Sequence, residues 1–550
     1  MTRNIVIYKT TRSKILIGKM LKVIGFNIFY YSKNLPITSF YEIKPPSSNK
    51  STFIYSQIGH DIKSFFFKNN NEKNFILDYL AYSARSGGSL DFYGFVESCN
   101  NLLGKDNFLL LDHSFHFQIM KNKKRYGFVL KYFFYGLMAL VFLFLNSLPR
   151  AIFNKKKLAH PTVCILRKKP TSDLGFTQSI SKSLSDINID SSICLSNFTS
   201  VENNYGFESP FNYSDSFLRL FRSFFDAINV FRNSLGIFSK FNIPIKVYKK
   251  FLYDTLLMQF ISKIECRVFT GVLHDKPNHI LLYEFLSKQQ SLNTIYEAFL
   301  YYPFENFDYV KASKYYAINN IEAKSLNIHG GDIKEVLLIG TRFNELKNEI
   351  TRGISDNLFQ LVKKYQKTIL IPLVSIGTVG GINEYNFYDY SYLIKLLEKV
   401  YELCESHPEF LFIIKGKKNE LSDINLNNSL SNLFIIDSKS PKLLKFNQFE
   451  DLLELSDLVI SMNLGSRTIW QAIERSIPAI SVNEIHPPSF LSQYKYTEVC
   501  LNELDDSLKY WLSDDPDKVN IIDQLRQILM IQKSSASAIV AEDIAKSIKI

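Results

Sequence analysis

Between Met462 and Thr468 the chain gathers residues suited to holding an anion. Asn463, Gly465 and Ser466 turn easily and present backbone N–H groups, while Arg467 and Thr468 add a cation and a hydroxyl. A helical pattern begins at Arg467, so unpaired N–H groups and the helix dipole would converge on this turn, which favours phosphate. Two further stretches have the same character. Gly377, Gly380 and Gly381 lie in the run Ser375–Gly381, and Lys415 ends an apolar run and opens Lys415-Gly416-Lys417-Lys418. Together the three offer the N–H groups, hydroxyls and positive charge that a nucleotide mono- or diphosphate requires. The plainer alternative is a β-α-β crossover without a ligand, with Lys415 a solvated strand end. On residue types alone, both stay open.

The elements that would position these residues are legible. Leu458-Val459-Ile460 is a short apolar run of the kind found in a buried parallel strand. Ile469, Trp470, Ala472 and Ile473 are spaced for one buried face of a helix, Ser476-Ile477-Pro478 ends it, and Ala479–Val482 reads as the next strand. In open α/β sheets, ligands bind beyond the carboxyl ends of strands. That rule selects the same three stretches, because Thr368–Val374 and Phe410–Ile414 are the strands before the other two. Tyr390–Ser406 is a helix between them, Leu433–Ile436 a further strand and Phe449–Leu455 a short helix.

The run Ser456–Glu484, with Asp457, Gly465, Ser466, Thr468, Ala472 and Pro478 in place, resembles the C-terminal half-domain of GT-B glycosyltransferases of bacterial surface-polysaccharide (capsule and lipopolysaccharide) biosynthesis. The resemblance is strongest over about Lys314–Asn483. It implies an α/β fold of two Rossmann-like half-domains of GT-B type, with donor phosphates at Gly465-Ser466. It also implies a nucleotide-sugar co-substrate, no bound cofactor or metal, and a lipid-linked or oligosaccharide acceptor. Two positions depart from the family pattern: Gln471 stands where a glutamate holds donor hydroxyls, and Ser476 stands where a glycine precedes x-Pro.

Such a transfer needs a general base within reach of the acceptor hydroxyl. In the first half the carboxylates and imidazole in suitable stretches are Asp173, His274, Asp275 and Glu297. Asp173 heads a helix in PTSDLG, so capping is an equal reading. Glu297 stands where related proteins often carry Gln-His-Gly. A nucleotide-sugar 2-epimerase shares the two-domain frame, and a non-catalytic assembly protein with a degenerate pocket is a third reading. No H-E-x-x-H, G-x-S-x-G or Walker pattern occurs.

The chain divides into 1–345 and 346–550. Asn4–Tyr8 and Phe26–Tyr31 read as strands around a helix at Ser13–Val23, and Thr162–Leu166 and Ser191–Leu195 as strands around Gly175–Leu184. All are expected to belong to one N-terminal sheet. Long helices follow at 213–235 and 243–264. Short strands are expected at Arg267–Thr270, His279–Leu282, Thr294–Tyr296, Tyr315–Ile318 and Val336–Gly340.

An insertion at about 36–160 interrupts the first half. It ends in Tyr132–Pro149, an uncharged stretch that extends roughly 27 Å as a helix. Lys121, Lys123, Lys124, Arg125 and Lys131 precede it, and Arg150 and Lys155–Lys157 follow. Basic flanks on both sides predict a helix that dips into an anionic membrane surface from one side, with Gly136 allowing a bend. A crossing would split the expected single sheet across the bilayer. A buried core helix is the rival.

Composition sets the remaining bounds. At 550 residues, with 46% hydrophobic and 21% charged, the chain is a folded protein of more than one domain. The net charge of +12 calls for an anionic partner. The basic residues are dispersed and no RNA- or DNA-binding motif is present, which argues against nucleic acid. Cys99, Cys164, Cys194, Cys266, Cys404 and Cys500 lie far apart without C-x-x-C, as in a reducing compartment. The start lacks a signal-peptide core. The expected location is cytoplasmic, peripheral or monotopic at the inner membrane face.

Overall fold

The computed structural model describes residues 4–8, 27–31, 41–42, 75–76, 79, 108–111, 128–153, 158–167, 174–195, 207–240, 245–271, 278–287, 292–296, 311–323, 332–341, 354–373, 390–416, 430–436, 449–461, 467–483, 490–529 and 535–549. Its strands form three parallel sheets.

The first sheet has four strands, β1 (Asn4–Tyr8), β2 (Asn27–Tyr31), β3 (Tyr41–Glu42) and β4 (Phe108–Leu111), in the order β3-β2-β1-β4. This corrects the expectation that residues 4–31 belong with 163–195. The strands themselves form where the apolar runs placed them, but sheet membership depends on long-range pairing, which local pattern does not encode. The expected helix at Ser13–Val23 lies outside the described residues.

The second sheet takes β5 (Val163–Arg167), β6 (Ser191–Leu195), β7 (Val268–Gly271), β8 (Leu292–Tyr296), β9 (Lys311–Ala317) and β10 (Asp332–Leu338) in the order β10-β9-β8-β7-β5-β6. Winding reverses between β5 and β7. Helix α1 (Phe128–Phe153) precedes it, and α2 (Leu174–Asp186), α3 (Ser216–Lys240), α4 (Ile245–Ser262) and α5 (Asn278–Ser287) lie between its strands. The strand expected at His279–Leu282 is the interior of α5. A short apolar run fits a buried helix as well as a strand, and here Asn278–Tyr283, Phe285 and Leu286 are all buried.

The third sheet carries the candidate site. Its strands are β11 (Lys367–Pro372), β12 (Phe410–Lys415), β13 (Leu433–Ile436), β14 (Leu458–Ser461), β15 (Ala479–Val482) and β16 (Glu498–Val499), in the order β13-β12-β11-β14-β15-β16. Counted within this sheet that is 3-2-1-4-5-6, the doubly wound Rossmann order. Every residue of β14 and β15 is buried, as expected where helices cover both faces. The helices of this half are α6 (Asp356–Val362), α7 (Tyr390–Ser406), α8 (Phe449–Leu453), α9 (Arg467–Glu474), α10 (Leu504–Leu512), α11 (Asp517–Ile528) and α12 (Ala536–Lys549).

The boundary expected at residue 345 falls among residues 342–353, outside the described ones. The last helix returns to the first half: α12 packs on α2, and one apolar core runs from Ile165 and Phe176 through Val540 and Ile544 to Leu370 and Trp470. Lys314 of β9 reaches both carboxylate oxygens of Asp543 at 2.8 Å, and the Tyr316 hydroxyl donates to the same group at 2.9 Å. Removing one partner of a largely buried pair like this costs about 3–5 kcal/mol.

Helix α1 is longer than the apolar stretch suggested. It continues through Pro149 to Phe153, where Ser216 Oγ donates to the Ala151 carbonyl at 3.0 Å and holds the last turn on α3. Gly136 serves close packing: a Cβ there would lie 2.5 Å from Phe231 Cε2 and 2.7 Å from Tyr248 Cε1.

Candidate functional site

The order of the third sheet puts its topological switch point between β11 and β14, where connections leave in opposite directions and open a crevice at the carboxyl ends. The groups described there are Leu373 after β11, Lys415 ending β12, Ser461 ending β14, and the start of α9. Register places Lys415 beside Pro372, and the Leu373 N–H donates to the Lys415 carbonyl at 2.9 Å. Burial lowers the pKa of Lys415 from its ordinary 10.5, and the nearby Glu450 carboxylate partly offsets that. Half-buried and partly desolvated in this way, the cation is poised for an anionic ligand.

Helix α9 forms as its spacing requires. Ile469, Trp470, Ala472 and Ile473 are buried, and the other end closes in a Schellman motif. Ile477 N–H donates to the Ala472 carbonyl at 2.9 Å and Ser476 N–H to the Ile473 carbonyl at 3.0 Å. Ser476 sits at φ 59°, the left-handed region that favours glycine. The departure from Gly-x-Pro therefore falls at a position whose backbone still has the glycine-like conformation.

Thr468 is in the first turn of α9, and its Oγ1 donates to Ser461 Oγ at 3.4 Å. Ser461 pairs in register with Ser481 of β15, so both hydroxyls stand on one side of the sheet. Among the described residues the buried Ser481 hydroxyl has no hydrogen-bond partner. Gln471 is 2% exposed, and its Nε2 likewise has no partner among the described residues. Each such orphaned polar group costs about 1–3 kcal/mol. Sequence reasoning missed Ser461 and Ser481; the available signal was a serine ending, or lying inside, an otherwise apolar strand.

Of the expected donor residues, the structure places Lys415 and Thr468 at this edge, Arg467 opens α9, and Gln471 is buried in the middle of α9. Gly377, Gly380, Gly381, Asn463, Gly465 and Ser466 lie outside the described residues. So do the candidate bases Asp173, His274, Asp275 and Glu297. The elements around them are described. In sequence, His274 and Asp275 follow β7, one of the two strands that flank the second sheet's own switch point, and Asp173 falls between β5 and α2. Gly271 ends β7 so close to β5 that a Cβ would lie 2.4 Å from the Leu166 carbonyl oxygen. Arg167, 4% exposed, ends β5, and Thr270 Oγ1 and Asn278 Oδ1, on either side of the His274–Asp275 segment in sequence, are buried without partners among the described residues. Among the described residues no group of three or more His, Cys, Asp or Glu is arranged to hold a metal.

The two halves meet at the other end of α9 and at α11. Thr341, just after β10, donates to Glu474 Oε1 at the end of α9 at 3.0 Å, and Asn319 Nδ2 donates to the Ile528 carbonyl of α11 at 2.9 Å.

No protein-family model matches the sequence, and no curated protein matches it. Among solved structures the chain is similar to Arabidopsis thaliana UGT89C1 complexed with quercetin, at 9% identity and TM-score 0.42 over 71% of this chain and 100% of that one. It is similar to Medicago truncatula UGT71G1 complexed with UDP-glucose, at 9% identity and TM-score 0.39 over 72% and 99%. A third similarity is to WaaG, a glycosyltransferase involved in lipopolysaccharide biosynthesis, at 11% identity and TM-score 0.37 over 70% and 99%.

Proposed function

We propose that the protein is a glycosyltransferase that moves a sugar from a nucleotide-sugar donor to a surface-glycan acceptor at the cytoplasmic face of the membrane. The observation that carries this reading is the switch-point edge of the third sheet. There a half-buried Lys415, the Thr468–Ser461 hydroxyl pair and the start of α9 lie at the edge where doubly wound sheets take nucleotides.

In the reaction the bond from the anomeric carbon to the phosphate oxygen breaks and a bond from the acceptor oxygen forms. The acceptor's proton passes to a base, for which Asp173, His274, Asp275 and Glu297 are the candidates. Negative charge gathers on the departing nucleoside phosphate. The Lys415 ammonium and the backbone N–H groups opening α9 are the groups of this chain that would stabilise it. No metal is needed for charge compensation in this scheme.

The exposed apolar surface of α1 favours a membrane-face transferase over a soluble 2-epimerase. A thermal-shift screen against UDP-, GDP-, CMP- and dTDP-sugars tests donor binding, since a true donor raises the melting temperature by mass action. Ser466→Asp, which puts a negative charge at the turn before α9, is expected to abolish that shift while leaving the unliganded melting temperature unchanged. Binding at unaltered affinity would move the donor site elsewhere.

A further inference from the structure

Large apolar side chains crowded on one outer face mark an interaction site. Among the described residues, all such exposed side chains except Ile187, Phe359 and Val519 lie on α1 and α3. On α1, Phe134, Met138, Phe142 and Leu145 are 55–67% exposed; on α3, Phe217, Phe221 and Phe225 are 45–50% exposed. The two helices run antiparallel along the whole contact. Phe133 meets Phe231 with ring centroids 5.9 Å apart, Phe144 meets Phe224 at 4.5 Å, and Ser216 holds Ala151.

We propose that α1 and α3 together form one docking face for an anionic phospholipid bilayer, entering a single leaflet parallel to the membrane plane. This deepens the membrane-face part of the reading above and rests on it; the sequence had pointed to α1 alone. A helix with a water-facing outer side carries polar residues there, whereas the exposed positions of α1 from Phe133 to Leu145 are all aromatic, Met or Leu, with Asn146 and Arg150 only beyond them. Nor can α1 cross the bilayer independently. Its inner face is fixed by the close approach at Gly136 and by Tyr132 against Tyr248, with centroids 5.4 Å apart. A crossing would carry α3 along, and the flank of α3 away from α1 bears Arg222, Asp226, Asn229 and Asn233, which are costly in hydrocarbon. Lying in plane leaves that flank at the headgroups.

Charge selects the lipid. Arg150, Arg222, Arg232 and Lys249 are exposed around the face, with Lys249 Nζ 5.2 Å from the Tyr135 ring centre. The acids of α3 and α4 are paired, Asp226 with Lys263 at 2.6 Å and Asp254 with Lys250, and Asp215, just before α3, pairs with Arg219 at 2.6 Å. A basic rim around an apolar centre complements anionic headgroups over acyl chains. Helix α4, which packs on α1 and α3, also packs on α5, the helix directly after the His274–Asp275 segment. The membrane face is thus mechanically continuous with the acceptor-side elements.

The test is flotation of the full-length protein with vesicles of phosphatidylglycerol and phosphatidylcholine, compared with phosphatidylcholine alone. The wild type is expected to float with the anionic vesicles. Combined Phe217→Ser, Phe221→Ser and Phe225→Ser, all on exposed positions, should weaken partitioning tenfold or more at an unchanged melting temperature, although α1 is intact. Arg222→Glu with Lys249→Glu should remove the preference for anionic lipid. As a reading that does not depend on the triple variant folding, the fluorescence of a Phe221→Trp variant should be quenched by lipids brominated near the headgroup, because Trp470 and Trp511 are both buried. If the wild type floats and the α3 variant floats equally well, or the fluorescence of the introduced tryptophan is not quenched, the two-helix face is overturned. If the wild type ignores all vesicles, or the face instead joins two copies into a lipid-independent dimer, the membrane-face reading fails with it. Nucleotide-sugar binding, measured separately, stands or falls alone.

Discussion

The Thr341 hydroxyl donates to Glu474 Oε1 at 3.0 Å, joining the exit of the second sheet to the end of the helix that opens over the candidate donor site. Glu474 is only 6% exposed, so this contact lies inside the junction of the two halves. Thr341→Val keeps the shape and removes the donor. A hydrogen bond to a carboxylate is worth about 1.5–3 kcal/mol, and urea denaturation should register a loss of that order. A variant as stable as the wild type would show that the carboxylate's other contacts suffice.

Ser476 bears on stability from the opposite direction. It occupies φ 59° at the position following the helix cap of α9. An L-residue there costs about 1–2 kcal/mol relative to its preferred region, and glycine gives back roughly half of that gain in chain entropy. Ser476→Gly is therefore expected to stabilise the protein by about 0.5–1 kcal/mol, and Ser476→Val to destabilise it, both read from denaturation midpoints.

Elements whose burial is set by local pattern were legible in the sequence. The apolar spacing of Ile469, Trp470, Ala472 and Ile473 defined the buried face of α9, and the runs at β11, β12, β14 and β15 defined the third sheet, because burial on both faces leaves continuous apolar strands. His279–Leu282 failed because a short apolar run fits either element. The separate sheet of β1–β4 and the return of Asp543 to Lys314 were not legible, since both depend on contacts between residues far apart in sequence. At the site, Lys415 was visible as a charge ending an apolar run. The register that sets Ser481 beside Ser461 appears only once the sheet is assembled.

Lys415 makes the site sensitive to pH. Burial holds its pKa below 10.5, so the folded state binds this proton less tightly than the unfolded chain. Stability from this group therefore rises with pH between the depressed pKa and 10.5, and below that window the buried charge is a cost. A phosphate ligand reverses the preference, because it needs the ammonium. Nucleotide diphosphate affinity is expected to fall as pH climbs from neutral through the Lys415 pKa. Lys415→Met should bind weakly at every pH, lose that slope, and unfold no more easily at pH 7 than the wild type. Calorimetric titration across pH separates these outcomes; an unchanged slope in the variant would assign the dependence to another group.

Gln471 offers the sharpest test of what the orphaned groups are for. Its amide nitrogen is buried without a partner in a helix whose neighbours Trp470 and Ala472 are tightly packed. Placing a carboxylate there by Gln471→Glu buries a charge with no described donor opposite it, so the unliganded protein should lose several degrees in melting temperature. If the side chain lies against the donor's hydroxyls, those hydroxyls donate to the new carboxylate, and a charge-assisted bond is about twice as strong as a neutral one. The nucleotide sugar should then raise the melting temperature of the variant by more than it raises that of the wild type, whereas the nucleotide alone should not. Equal shifts for nucleotide and nucleotide sugar would mean that Gln471 faces the protein interior, and that its unpartnered amide is a cost of packing with no part in recognising the sugar.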